Sequence, residues 1–200
     1  MYPELHASVQ QLSPVSKAAY VGWLAAAQQL KFKKGQLLLA QGSVYRRTYY
    51  VLQGAVVAFA TDQSGSEQLL QFAVEGWWIS DLGTFLSGRP AQLQLEAIED
   101  CTVLCFQYAD LENLFTVYPD LQSYYLKLTQ RAFLSFQDRI LENLALDAET
   151  RYLKFVERYP GLELRLTQKR IASYLGMSPE FLSKIKKRLR GDSMQHPHRI

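Results

Sequence analysis

The segment from Thr167 to Leu189 concentrates the side chains of this chain that are suited to recognising another molecule. It predicts two short helices around a turn at Gly176, because glycine readily adopts the left-handed conformation that often ends a helix. The second predicted helix has an apolar stripe and an opposed polar stripe. The apolar stripe is Leu182, Ile185 and Leu189, and the polar stripe is Glu180, Ser183, Lys184 and Lys187. Such a helix can bury one side in its own domain and lay the other in a DNA major groove.

The expected helix starts agree with this interpretation. Thr167 and Ser178 are predicted N-caps, whose side-chain oxygens accept a hydrogen bond from a backbone N–H. Pro179 suits the first helical position, and Glu180 meets the positive end of the helix dipole. The alternative is a surface helical hairpin with a solvated basic face. Because caps, turn and stripes all agree, the pattern favours DNA binding.

Charge is distributed unevenly along the chain. Residues 165–190 hold eight Lys or Arg and one acidic residue, whereas residues 1–164 hold 13 basic and 17 acidic residues. The formal net charge of +3 conceals this difference. A strongly basic segment on a mildly acidic remainder is typical of a DNA-binding module.

Composition excludes several other classes. No apolar run approaches the ~18–20 residues of a membrane span and no signal peptide is apparent, so we expect a soluble, cytoplasmic protein with no membrane partner. The chain has no nucleophile elbow, P-loop, dinucleotide fingerprint or paired metal-ligand histidines, so we expect no enzymatic activity and no metal. Cys101 and Cys105 are interpreted as two core thiols, and a redox pair is the alternative.

The remainder of the chain predicts helices at both ends and strands between them. Residues 2–30 have helical spacing, and short apolar runs separated by turn signals follow from Lys34 to about Tyr108. The candidate strands are Leu37–Ala40, Tyr49–Leu52, Ala55–Ala60, Leu69–Phe72, Leu93–Ala97 and Thr102–Phe106. Their spacing indicates an antiparallel sandwich or roll.

The second half predicts a long helix with two apolar faces. Asp110 is expected to cap a short helix, Pro119 to open a helix reaching about Leu146, and Ala148–Tyr159 to form another. One stripe of the long helix is Leu121, Tyr125, Leu128 and Ala132, and the other is Phe133, Phe136, Ile140 and Leu144. Each apolar face of such a helix needs a surface to pack against, and the candidates are the roll of the same chain and a second copy of the chain. No clean heptad persists, so the sequence favours a dimer without establishing it.

In this order, roll, long helix and helix-turn-helix resemble the Crp–Fnr family of cyclic-nucleotide-binding bacterial regulators. The matching segments are residues 34–38, 50–54, 64–67 and 76–82 of the roll, together with the C-terminal module. The resemblance implies an α+β fold, with an antiparallel β-roll (a cyclic-nucleotide-binding-like jelly roll) and flanking helices. It divides the chain into an effector domain (1–115), a dimerisation helix (116–146), an all-α DNA-binding domain (147–190) lacking most of the wing, and a disordered tail (191–200).

The resemblance also implies DNA contacts. Ser178 and Lys187 correspond to phosphate contacts, and Glu180 and Lys184 to base-edge contacts. The full predicted set is Thr167, Gln168, Lys169, Ser178, Glu180, Phe181, Ser183, Lys184 and Lys187. Pro179 and Lys184 stand where relatives carry arginines, so we expect a different target sequence. A homodimer joined through residues 120–146 is expected to bind palindromic half-sites about one DNA turn, ~34 Å, apart.

The cyclic-nucleotide cassette departs from the family pattern. Asp81 stands for the ribose-binding glutamate, Ala91 for the phosphate-binding arginine and Gln92 for its serine partner, while Arg89 is two residues too early. Because loss of a charge-assisted phosphate contact costs roughly 2–5 kcal/mol, we expect no binding of cyclic AMP in the family's usual manner. The predicted effector pocket is Gly76, Trp78, Ile79, Ser80, Asp81, Leu82, Arg89, Ala91 and Gln92. Trp77, Trp78 and Phe85 are suited to an apolar pocket or to plain core.

These observations predict a homodimeric, sequence-specific transcription regulator with no certain cofactor. The roll either binds another small effector or serves only as a dimer scaffold, and both alternatives stay open. A regulator that activates transcription would have RNA polymerase as a further partner. The competing interpretation is a scaffold or interaction protein that binds no DNA, for which DNA affinity would show no steep dependence on salt.

Overall fold

A computed structural model of the chain describes residues 2–63 and 65–195, with side chains described as far as Arg190. Its helices are α1 (Pro3–Leu12), α2 (Lys17–Ala25), α3 (Leu82–Ser87), α4 (Tyr108–Val117), α5 (Pro119–Ala145), α6 (Ala148–Arg158), α7 (Gln168–Tyr174) and α8 (Pro179–Gln195). Its strands are β1 (Gln28–Phe32), β2 (Leu37–Leu39), β3 (Arg47–Gln53), β4 (Val56–Thr61), β5 (Glu67–Ala73), β6 (Trp78–Ile79), β7 (Gln94–Ala97) and β8 (Cys101–Gln107). A short 3₁₀ helix covers Leu162–Leu164.

The strands form two four-stranded sheets, in the orders β1-β8-β3-β6 and β2-β7-β4-β5. Neighbouring strands pair in the antiparallel sense, as between β3 and β8 and between β4 and β7. Side chains from both sheets form one buried cluster, in which Val51, Val56 and Leu95 are completely buried. The predicted antiparallel roll is therefore confirmed.

A second core joins α1, α2, α4 and the start of α5 to the roll. Trp23 is completely buried and its ring stacks on Phe106, with 4.9 Å between the ring centroids. Its indole N–H donates to the hydroxyl of Tyr125 at 3.1 Å, so the buried donor is satisfied. Leu121 and Tyr124 are also buried in this cluster. The N-terminal part of α5 is thus held by apolar packing and a buried hydrogen bond.

Several elements before α5 differ from the predicted ones, and α3 is among those that the sequence did not predict. Residues 2–30 do not form one helix, because Ser16 caps a separate α2 and residues 28–30 belong to β1. β1 pairs with β8, from Gln28 opposite Cys105 to Phe32 opposite Cys101, and this long-range pairing overrides the local helical spacing. β6 was also not predicted, being two residues long. Asp110 lies in the first turn of α4, whose N-cap is Gln107.

The C-terminal helices lie close to their predicted positions. α5, α6 and α7 begin at the predicted residues, and Gly176 has the predicted left-handed conformation with φ +64°. α8 continues to Gln195, so the structure includes residues 191–195, which the sequence assigned to the tail, in this helix. A single glycine costs a helix only about 1 kcal/mol, and no proline interrupts this segment. The rest of the predicted tail, 196–200, lies outside the described residues.

The chain divides into two compact units, one comprising residues 1–60 and 70–137 and the other residues 61–69 and 138–200. The division lies inside α5 and not at the boundaries predicted near residues 115 and 146. Within the described part of the chain, no helix combines the length and apolar character that crossing a membrane requires.

Both cysteines are buried in the roll. Burial raises the pKa of the Cys105 thiol to about 11 and also raises the pKa of Cys101. The Cys101 thiol donates to the carbonyl oxygen of Ala55 at 3.2 Å. Buried, protonated thiols are poor nucleophiles, which supports the interpretation as core residues.

Candidate DNA-binding surface and effector cassette

The helix-turn-helix is built from α7 and α8, which pack through small and aliphatic side chains. Ile171 and Ala172 of α7 and Leu182 and Ile185 of α8 are all buried. Leu182 and Ile185 belong to the predicted apolar stripe, and Leu189, the third member, is half-buried. The polar stripe of α8 therefore lies on the opposite, solvent-facing side of the helix.

The starts of α7 and α8 are held together by one side chain. Thr167 caps α7 by accepting from the backbone N–H of Arg170 at 3.3 Å, and Ser178 caps α8 by accepting from the N–H of Phe181 at 3.2 Å. The Gln168 amide donates to the carbonyl oxygen of Pro179 at 2.9 Å. Two positive helix ends, each with a neutral cap, are thus fixed next to one another, an arrangement suited to phosphates.

Every predicted DNA-binding residue is exposed at this surface. The set is Thr167, Gln168, Lys169, Ser178, Glu180, Phe181, Ser183, Lys184 and Lys187. Among the described residues, the structure gives no ion-pair partner to Lys169, Lys184 or Lys187. Three exposed ammonium groups are therefore available to an anionic ligand.

Other cations of the basic segment are neutralised within the second unit. Lys186 pairs with Glu163 at 3.0 Å, and Arg188 pairs with Glu149 of α6. The sequence count of basic residues could not separate these paired cations from the unpaired ones, because each acidic partner lies more than 20 residues away along the chain. The charge that remains for a ligand is thus concentrated on fewer residues than the count suggests.

Glu67 and Leu69 contact α7 within the same unit. The Ser173 hydroxyl donates to the carbonyl oxygen of Glu67 at 3.0 Å and accepts from the N–H of Leu69 at 2.8 Å. The Glu67 carboxylate pairs with Arg170 at 3.2 Å. Sequence reasoning missed this contact, since it joins residues about a hundred positions apart and carries no local signal. It engages the first helix of the pair and leaves the exposed face of α8 unaffected.

Glu180 is ionised on the surface of α8. Hydrogen bonds from its own backbone N–H and from the Ser178 side chain lower the pKa of its carboxyl. It therefore offers a charged acceptor at neutral pH, as a contact to the amino group of cytosine requires.

The cassette between β6 and β7 is organised around Asp81. This carboxylate is buried, and it accepts from the backbone N–H of Thr84 at 3.0 Å, of Gln92 at 2.9 Å and of Leu93 at 3.0 Å. The first of these bonds caps α3. A carboxylate that accepts several backbone N–H bonds is strongly held, so the anion-binding donors of the cassette are already occupied by the chain itself.

The side chains predicted for the phosphate end of the cassette differ in their burial. Ala91 is buried in the cluster between the two sheets, whereas Arg89 is exposed, with its guanidinium directly against Gly83. The side chain of Gln92 is also exposed. No cation therefore takes the place of the family's phosphate-binding arginine at position 91.

A cavity of about 480 Å³ lies in the first unit, and five of the nine predicted pocket residues line it. These five are Gly76, Trp78, Ile79, Ser80 and Leu82. Asp81, Arg89, Ala91 and Gln92 are not among its lining residues. Trp77 and Phe85 line the cavity as well, and the remaining wall comes largely from α1 and α5, which the sequence did not associate with a pocket.

Comparison with known proteins places these features in a family. Residues 29–118 match the family model of the cyclic nucleotide-binding domain. The cAMP-activated global transcriptional regulator CRP of Salmonella typhimurium is 26% identical over 183 residues, covering 84% of this chain and 85% of that protein. The CRP-like protein Clp of Xanthomonas euvesicatoria is 26% identical over 168 residues, covering 74% of this chain and 71% of its own.

A solved structure shares the fold. FixK2 from Bradyrhizobium japonicum aligns with a TM-score of 0.73 at 21% identity, covering 84% of this chain and 86% of that one. With the roll, the long helix and the helix-turn-helix in the same order, this chain contains a cyclic nucleotide-binding domain and is similar over most of its length to transcription regulators of the Crp–Fnr family.

Proposed function

We propose that this regulator binds palindromic DNA sites as a homodimer joined through α5, and that cyclic AMP does not control it in the family's usual manner. The nine residues at the helix-turn-helix surface carry the proposed DNA contact. If the protein activates transcription, RNA polymerase is a further partner.

The observation that carries the DNA-binding proposal is the exposed face of α8. Lys184 and Lys187 stand there without an ion pair among the described residues, beside the ionised Glu180. Lysine can donate to guanine O6 and N7, and a carboxylate can accept from cytosine N4. Lys169 and the capped starts of α7 and α8 suit backbone phosphates, which fix the register of the protein on DNA.

The homodimer is supported by the exposed apolar residues of α5. At 100° per residue they lie on one side of the helix, opposite Leu121 and Tyr125, which are buried against the roll. They are Leu126, Phe133, Leu134, Ile140, Leu141 and Leu144. An exposed apolar face of this length is typical of a protein–protein interface. Phe136, which the sequence placed in the same stripe, instead lines the cavity.

The cassette geometry supports independence from cyclic AMP. A phosphate approaching the N–H groups of Gln92 and Leu93 would meet the Asp81 carboxylate, which already accepts both bonds. Two negative groups at one site repel each other, and no arginine at position 91 offsets that repulsion.

The test is selection of bound DNA from a random library with purified protein and no added effector. We expect a palindrome with half-sites about one DNA turn, ~34 Å, apart. A Phe133→Glu variant should elute as a monomer in size-exclusion chromatography and recover no palindrome, while Leu153→Glu on α6 should remain a dimer. If no sequence is enriched, even after cell extract is added as a source of effector, the scaffold interpretation replaces this one.

A further inference from the structure

The cavity of the first unit has a rigid aromatic wall. Trp78 packs against Phe106 and Trp23, with ring centroids 5.5 and 5.9 Å apart. Its indole N–H donates to the Tyr124 hydroxyl at 3.1 Å, which fixes the ring at the cavity surface. Tyr125, also in the wall, is held by its bond from Trp23. A wall of this kind is arranged before a ligand arrives and presents flat apolar surface to it.

Among the described residues, one charged side chain lines this cavity. It is Arg131 of α5, and the described lining contains no Asp, Glu or Lys. Arg131 forms no ion pair among the described residues, so its guanidinium is available to a ligand. The other polar lining groups are neutral, namely hydroxyls such as Ser80 and Thr129 and the amides of Gln11 and Gln71. The electrostatics therefore favour one negative charge on the ligand and disfavour a cation.

We propose that the cavity binds a small aryl acid, whose flat apolar ring lies against Trp78 and Tyr125 and whose single carboxylate or sulfonate meets Arg131. A volume of about 480 Å³ is within the range of sites that enclose small organic ligands. A second negative charge would meet no further cationic side chain among the described lining residues, at a cost in free energy. The acid binds outside the Asp81 cassette, since Asp81, Ala91 and Gln92 do not line the cavity.

Describing this ligand as the effector rests on the proposed function, whereas the binding itself does not. The experiment therefore contains no DNA and uses two fluorescent probes that differ in charge. They are 1-anilinonaphthalene-8-sulfonate and its uncharged counterpart N-phenyl-1-naphthylamine, titrated into the full chain. We expect saturable binding of both with one site per chain, and tighter binding of the sulfonate by about three- to fivefold, the range for a partly solvated ion pair.

Three variants locate the site. Arg131→Gln should remove the preference for the sulfonate and leave the neutral probe unchanged. Lys127→Gln, one turn earlier on α5 and outside the lining, should change neither affinity. Thr129→Phe should fill the cavity and weaken both probes at least tenfold, and Ala132→Leu serves the same purpose if that variant does not fold.

The proposal is overturned if the two probes bind equally tightly, if Arg131→Gln and Lys127→Gln lose the same amount, or if filling the cavity changes nothing. If the protein selects a DNA palindrome but fails this test, only the ligand proposal is contradicted. If it binds the sulfonate at Arg131 but selects no DNA, only the proposed function is contradicted.

Discussion

Two regions of this molecule present backbone N–H groups that could bind an anion, and they differ in the side chains that already accept hydrogen bonds from those groups. In the cassette, the buried Asp81 carboxylate accepts from three of them. At the helix-turn-helix, the caps Thr167 and Ser178 are neutral hydroxyls at an exposed surface. The backbone N–H groups of the cassette are therefore occupied, and we call this the closed region. Those at the helix-turn-helix lie at an accessible surface, and we call this the open region.

The two kinds of cap differ in their charge and in how many backbone N–H groups they leave without an acceptor. A hydroxyl cap satisfies one of the four free N–H groups at a helix start and adds no charge, so the positive end of the α7 dipole stays available to a phosphate. At α8 the ionised Glu180 of the first turn offsets part of that potential. A carboxylate cap cancels that potential, and at Asp81 it also takes the donors of the facing segment. An anionic ligand therefore finds accessible donors at the helix-turn-helix and occupied ones in the cassette.

The largest expected effect is a loss of stability when the Asp81 carboxylate is removed from the closed region. Asp81→Ala should destabilise the protein by roughly 2–4 kcal/mol, because three backbone N–H groups lose a buried acceptor. Chemical denaturation followed by circular dichroism measures this loss. Gln92→Ala is the matched control, since it keeps the backbone N–H and removes only an exposed side chain, and it should change stability by less than about 0.5 kcal/mol. Equal losses in the two variants would mean that Asp81 does not hold the cassette.

At the open region, Lys184→Ala should weaken specific DNA binding by about 1–3 kcal/mol and nonspecific binding by less. Lys184 is exposed and unpaired among the described residues, whereas Lys186, two residues on, is partly buried and pairs with Glu163. Competition binding against the selected palindrome and random DNA measures both losses. Lys186→Ala should have the smaller effect on specific binding. Equal losses on the two DNAs would show that Lys184 reads no base.

The open region was predictable from sequence because its signals are local. Caps, turn and stripes of α7 and α8 all lie within the 23 residues from Thr167 to Leu189, and each followed from a residue type or a short-range spacing. The start of α5 at Pro119 was predictable for the same reason.

The closed region was only partly predictable, because its decisive contacts are long-range. Asp81 was identified as a substitution in the family pattern, but its bonds to Gln92 and Leu93 join residues eleven and twelve positions away through backbone atoms. The donors are backbone N–H groups, so the identities of the residues at positions 92 and 93 do not predict these bonds. β1 was misjudged as helix for a related reason, since its pairing with β8 spans about seventy residues. The contribution of α1 to the cavity likewise depends on packing that no local pattern encodes.

A smaller effect separates free cations from paired ones. Lys187→Ala should reduce the slope of log affinity on log salt by about 1, because one phosphate contact and its released counterion are lost. Lys154→Ala on α6 is the control, as its ammonium already pairs with Glu142 at 3.3 Å. Binding titrations at four or more salt concentrations give the slope. A slope unchanged by Lys187→Ala would remove this residue from the DNA surface.

The last prediction is the absence of cyclic AMP binding, and a variant of Asp81 tests which feature of the cassette prevents it. Cyclic AMP should give no binding heat in calorimetric titration of the wild-type protein, and saturable micromolar binding would contradict the proposal. Asp81→Asn keeps a side chain of nearly the same size but removes the negative charge and one of the two acceptor oxygens, so it relieves the repulsion and weakens the competition for the backbone N–H groups. Because the missing arginine at Ala91 accounts for roughly 2–5 kcal/mol, this variant should still not bind. Binding restored by Asp81→Asn would mean that the carboxylate, and not the lost arginine, closes the site.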